Sequence, residues 1–159
     1  MTLQALGSRL TDTQTSTDGP KNVLGEIFHH QGKAYKYVKN SSAGAFAVNR
    51  LVSYDLTADD GTSVIYPAAA FVRSAAGVTL SAIPASGFGW IQVGGYATCD
   101  FDGAGADSVA GAPVTSYDTI GKCQGIDVTV ASQVASKCGF AYDASTTDVT
   151  LEVFLAGLI

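Results

Sequence analysis

The sequence predicts an all-β protein: a small β-barrel or β-sandwich of short antiparallel strands, preceded by a flexible N-terminal arm. Three observations carry the prediction. From Val23 onward, apolar or alternating runs are short and are separated by turn residues at intervals that leave no room for long helices. Eighteen glycines in 159 residues supply the turns and bulges that such strands need. Finally, Val149, Leu151, Val153 and Leu155 alternate with Asp148, Thr150 and Glu152, the period of two that seats one face of a strand on a core.

Taken in order, residues 1–20 read as an arm. Leu3, Leu6 and Leu10 recur at helical spacing, and Thr11 to Pro20 is a run of Thr, Ser, Asp and Gly with nothing to bury. Residues 21–159 read as one β-rich domain, since a chain of this length buries roughly 70% of its unfolded surface around a single core. Candidate strands are Val23–His29, Lys33–Lys39, Leu51–Tyr54, Ser63–Tyr66, Gly77–Ser81, Gly89–Val93, Ile126–Val130, Cys138–Tyr142 and Asp148–Leu155. Gln31-Gly32 and Asp59-Asp60-Gly61 read as hairpin turns. Pro67 to Ser74 is the one segment that suits a short helix. Trp90, the single tryptophan, sits inside an apolar run and reads as an anchor in the core or at a subunit interface. Gly94-Gly95 reads as a bulge or kink that ends the pairing or lets the strand turn a barrel corner.

Composition narrows the function. Hydrophobic residues make up 47% and charged residues 14%, so much of the surface is Ser, Thr, Gly and Ala, which suits packing against protein. The net charge is -5 and the nine Lys and Arg are scattered, so the footprint of a nucleic-acid-binding protein is missing. No segment approaches the roughly 20 apolar residues of a membrane helix, and Met1 to Leu10 lacks the pattern of a secretory signal, so the chain is expected to be made in the cytoplasm and to act away from membranes.

No enzyme or cofactor signature is present. His29 and His30 are adjacent in a strand and point to opposite faces, so they form neither a dyad nor a joint metal site. Gly87-Phe88-Gly89-Trp90 lacks the third glycine of a dinucleotide fingerprint. The acidic run Asp100 to Asp107 resembles a calcium loop in its spaced aspartates. However, Ala104 and Gly111 stand where an EF-hand needs an oxygen side chain and a bidentate Glu, so it reads as an acidic surface loop. Cys99, Cys123 and Cys138 are an odd set with no Cys-x-x-Cys pair, read as buried free thiols with a Cys123–Cys138 bridge as the alternative.

Ala34-Tyr35-Lys36-Tyr37-Val38-Lys39-Asn40 followed by a Gly/Ala-rich segment, then Gly87-Phe88-Gly89-Trp90-Ile91-Gln92-Val93-Gly94-Gly95-Tyr96, resembles the small head proteins encoded beside the major capsid genes of tailed bacteriophages. The ending, Gly139-Phe140-Ala141-Tyr142-Asp143-Ala144 and then the alternating Val149–Leu155, is similar to their closing hairpin. The resemblance spans roughly residues 23–156 and implies a non-enzymatic capsid decoration (cement) protein. Such a protein is often trimeric, binds the major capsid protein on the outside of the head where capsomers meet, and needs no cofactor. The family brings no catalytic residues with it. Leu3, Leu6, Leu10 and Trp90 are the residues expected to contact the capsid or a neighbouring subunit. A receptor- or carbohydrate-binding module of a head or tail fibre is the alternative; it requires an exposed aromatic platform or ordered acidic loops.

Overall fold

The computed structural model describes residues 4–5, 8–67, 75–102, 109–116, 120–126, 137–147 and 149–156. Every regular element among them is a strand. A short pair, β1 (Gln4–Ala5) and β2 (Ser8–Arg9), stands apart. The body consists of β3 (Ile27–His30), β4 (Lys33–Asn40), β5 (Leu51–Tyr54), β6 (Ser63–Ile65), β7 (Ala75–Thr79), β8 (Phe88–Phe101), β9 (Pro113–Ser116), β10 (Cys123–Gly125), β11 (Gly139–Ala141) and β12 (Val149–Leu155).

These ten strands form one sheet that closes on β8 twice. β8 pairs with β7 and β4, and the chain of neighbours β7-β5-β6-β4 returns to it as one ring; it also pairs with β12 and β10, and β12-β11-β9-β10 returns to it as a second. Closure of the second ring is a single parallel pairing, Cys123 with Phe101. Closed rings remove the unpaired edges that make small sheets prone to association.

The 14-residue strand β8 is the spine of the molecule. Its odd-numbered positions face both interiors: Ile91 and Val93 pack with Val38, Val52 and Val64 in the first ring, and Ala97, Cys99 and Phe101 pack with Leu151, Val153 and Leu155 in the second. An extra residue, Val93, is accommodated where β4 shifts register between Ala34 and Tyr35. At Gly95 the strand passes from β4 to β12. Gly94-Gly95 is thus a barrel corner within a continuous strand. Gly95 has φ +79°, and a side chain there would stand 2.5 Å from the Gly32 carbonyl, so the corner requires glycine.

Local chemistry sets the turns. Gln31 and Gly32 both have positive φ, 48° and 75°, as a two-residue hairpin between His30 and Lys33 demands. In the β5–β6 connection, Asp60 accepts from the Thr62 and Ser63 backbone N–H groups at 2.8 and 2.7 Å and from the Ser63 hydroxyl at 2.7 Å. Those bonds, the Ser63 hydroxyl first, hold its carboxyl down at about 2.

The N-terminal segment differs from the expected arm. Leu10 is buried in a cluster with Tyr35, Tyr37, Phe88 and Trp90 on the outer face of the first ring. Gln14 exchanges two backbone hydrogen bonds with Phe88, at 2.9 and 2.8 Å, and its side-chain oxygen accepts from the Tyr37 hydroxyl. The packed body therefore begins ahead of the boundary expected at residue 20. Thr15 and Asp18 close a turn on each other, the hydroxyl donating at 2.6 Å. Order in this polar run comes from backbone pairing and local side-chain bonds, which a count of apolar residues does not register.

The expected helix from Pro67 to Ser74 falls, after Pro67, outside the described residues, as does the strand expected at Ile126–Val130 after Ile126. Ahead of Ile126 the structure adds β9 and β10, an antiparallel pair absent from the expected strands.

Candidate functional site

The two halves of β8 differ in cover. From Phe88 to Gly94 both faces are buried, because the N-terminal segment and the Phe28 side chain of β3 pack on the outside of the first ring; from Gly95 onward the outer face is open. The open face lies on β8, β12 and β11, and it carries an aromatic stripe set by cross-strand register. Phe140 stands opposite Phe154, and Phe154 opposite Tyr96. Tyr142 follows β11, and its backbone N–H continues the ladder to the Glu152 carbonyl at 2.8 Å.

The rings pack edge to face. Tyr96 meets Phe154 with centroids 5.2 Å apart and Tyr142 with centroids 5.4 Å apart, and Lys137 places its ammonium 4.7 Å from the Phe140 ring centre. Tyr96, Tyr142 and Phe154 nevertheless remain 45%, 55% and 43% exposed. Three large aromatics joined through Tyr96 and half open to water form a patch with apolar area to lose on association.

Beside the stripe a cleft of about 470 Å³ opens between the β3–β4 turn and the end of β12, lined by His29, His30, Lys33, Gly95, Phe154 and Leu155. Of the two histidines at this cleft, His29 is exposed and His30 stacks on Phe28 with centroids 6.3 Å apart. Along β8 beyond the aromatics the surface becomes ionic. Asp100 pairs with Arg50 at 3.2 Å and accepts from the Thr150 hydroxyl at 3.0 Å, and Asp102 pairs with Lys122 at 3.2 Å. The first two aspartates of the acidic run are therefore engaged by cations; residues 103–108 lie outside the described residues. Among the described residues, no group of three His, Cys, Asp or Glu side chains is placed to hold a metal ion.

Of the four expected contact residues, the structure describes two, Leu10 and Trp90. Trp90 has no exposed surface and packs on Tyr37, with centroids 5.2 Å apart; Leu10 is 8% exposed in the same cluster. Both are core residues of the monomer and present no contact surface. Leu3 and Leu6 lie outside the described residues. The aromatics that are exposed were missed, although a signal existed. Phe154 falls on the polar phase of β12 with Thr150 and Glu152, and Tyr96 on that of β8 with Thr98 and Asp100.

No protein-family model and no curated protein matches the sequence. Among solved structures, the fold is similar to that of the N base of the head fiber gp8.5 in bacteriophage phi29. The TM-score is 0.54 at 12% identity, over 77% of this chain and 94% of that one.

Proposed function

We propose that this chain is a structural protein of a tailed-bacteriophage head, bound to the outer capsid surface at capsomer junctions, where it stabilises the filled head. The observation that carries the proposal is the fold shared with the N base of the phi29 head fiber, which extends over 94% of that chain. The low charge content and the half-exposed aromatic stripe support it, because aromatic side chains are enriched and charged ones depleted at the centres of protein interfaces. The partners in this reading are the major capsid protein and further copies of the chain, with a homotrimer as the assembly. Three identical patches at a three-fold junction raise attachment by ~10²–10⁴ over one patch without any stronger single contact.

The test is electron cryo-microscopy of the virion together with heads prepared without this protein. The expected result is many copies spread over the outer lattice, and bare heads that assemble normally but release DNA at lower temperature. Copies confined to a vertex or the tail, or equal survival of bare and decorated heads, overturn the cement role. A second reading, a receptor- or carbohydrate-binding module, is favoured by the exposed Tyr96, Tyr142 and Phe154. Copies restricted to fibres, together with glycan-array binding that is lost in Tyr96→Ala, select that reading instead.

A further inference from the structure

The core of the second ring gathers all three cysteines of the chain. Cys99 is on β8, Cys123 on β10 and Cys138 directly before β11, and all are free and buried. The backbone makes the first two neighbours. Cys123 stands opposite Phe101 in the pairing that closes the ring, and the Asp102 N–H donates to the Cys123 carbonyl at 2.8 Å. Cys99 and Phe101, two positions apart on one strand, present the same face. The Cys99 and Cys123 sulfurs are 2.7 Å apart, while the Cys138 thiol donates to the Val114 carbonyl at 3.3 Å.

We propose that Cys99 and Cys123 are an oxidisable pair, a modification site that closes into an intramolecular disulfide when hydrogen peroxide reaches the core, leaving Cys138 as a thiol. In the first step the Cys99 sulfur attacks one peroxide oxygen and the O–O bond breaks. The departing hydroxide takes the Cys99 proton and leaves as water, and Cys99 becomes a sulfenic acid. The Cys123 sulfur then attacks the sulfenic sulfur; the S–O bond breaks, and the hydroxyl leaves with the Cys123 proton as a second water. Two thiols lose two electrons and one peroxide becomes two waters. The Cys138 and Cys99 thiols hydrogen-bonded to Cys123, and then its burial, hold the Cys123 thiol well above the usual thiol range, so reaction is slow unless the core opens. In the reducing cytoplasm the pair stays open, and outside the cell it closes. The bond fastens β10 to β8 at the point where a single residue pair closes the ring.

The experiment treats reduced full-length protein with hydrogen peroxide, removes the oxidant with catalase, then denatures and alkylates with iodoacetamide. Trypsin, cutting after Arg73, Lys122 and Lys137, places each cysteine on its own peptide, 74–122, 123–137 and 138–159. The expected digest holds 74–122 joined to 123–137, a species that disappears on reduction, and a separate 138–159 whose cysteine is alkylated. The oxidised protein should melt roughly 6–12 °C higher than the reduced one, as expected for a cross-link spanning 24 residues, and Cys99→Ala should abolish both effects. Three alkylated peptides after oxidation, a 123–137 to 138–159 link, or a link between chains overturns the proposal. If Cys99→Ala does not fold, the peptide map of the unsubstituted protein decides alone.

Discussion

Trp90 and Asp60 show two ways in which one side chain holds this fold. Trp90 is fully buried against Tyr37, whose hydroxyl also accepts from the Lys21 backbone N–H at 3.3 Å, so the indole fills a site closed from several directions. Trp90→Ala should cost about 3–5 kcal/mol, a large share of the stability of a domain this size, and a urea titration would read it as a lower midpoint. Asp60 acts through hydrogen bonds on a carboxyl that is nearly all in water. Its folded pKa, about 2, is depressed below the ordinary 3.8, so its contribution is complete above pH 3.8 and is lost as pH falls through about 2. Solvent screening keeps that contribution small. In Asp60→Asn the melting temperature should lie below that of the unsubstituted protein at neutral pH, with the gap shrinking through the same acid window. A gap that persists unchanged at pH 2 would show that the carboxylate charge is not its source.

Among the elements, those most legible in the sequence are the ones whose pattern matches their surroundings. β12 was readable because one face meets a core and the other water, giving strict alternation at Leu151, Val153 and Leu155. β5 and the β3–β4 turn were readable from an apolar run and from Gln31-Gly32. β9 and β10 were not: Pro113–Ser116 and Cys123–Gly125 are short and mostly small or polar, and their burial comes from ring closure, which no local window contains. The N-terminal segment was misread for a similar reason, since its partner Phe88 lies 74 positions from Gln14. Its packing makes a prediction. Removing residues 1–18 strips Leu10 and Gln14 from the Tyr37–Trp90 face, so the truncated protein should unfold at lower urea and bind a hydrophobic dye. Removing residues 1–7 keeps both residues and should leave the urea midpoint near that of the full chain. Equal midpoints for all three proteins would show that the segment adds nothing to the stability of the body.

At the scale of the whole molecule, the shared strand β8 divides labour between the rings. Along β4 and β8 the first ring is covered on its outside by the chain's own N-terminal segment and by Phe28 of β3, whereas the second keeps its outer face open and carries the aromatics there. On the proposed function, the open face of the second ring is the surface expected to meet the capsid. Tyr96 and Phe154 lie on the outer face while Ala97, Leu155 and Val153 fill the interior behind them, so the stripe can be altered without touching the core. The double variant Tyr96→Ala, Phe154→Ala removes two edge-to-face neighbours and much of the exposed apolar area. Its folding stability should fall by only about 1–2 kcal/mol, from the lost ring pairing and cross-strand contact. Its attachment to bare heads should weaken at least tenfold, because aromatic side chains at the centre of an interface each account for about 2 kcal/mol or more of association. Co-sedimentation with heads lacking the protein measures attachment, and thermal melting measures the fold. Weak attachment with a nearly unchanged melt places the capsid contact on the open face of the second ring; full attachment moves it to the cleft beside His29 and Lys33 or to the covered ring.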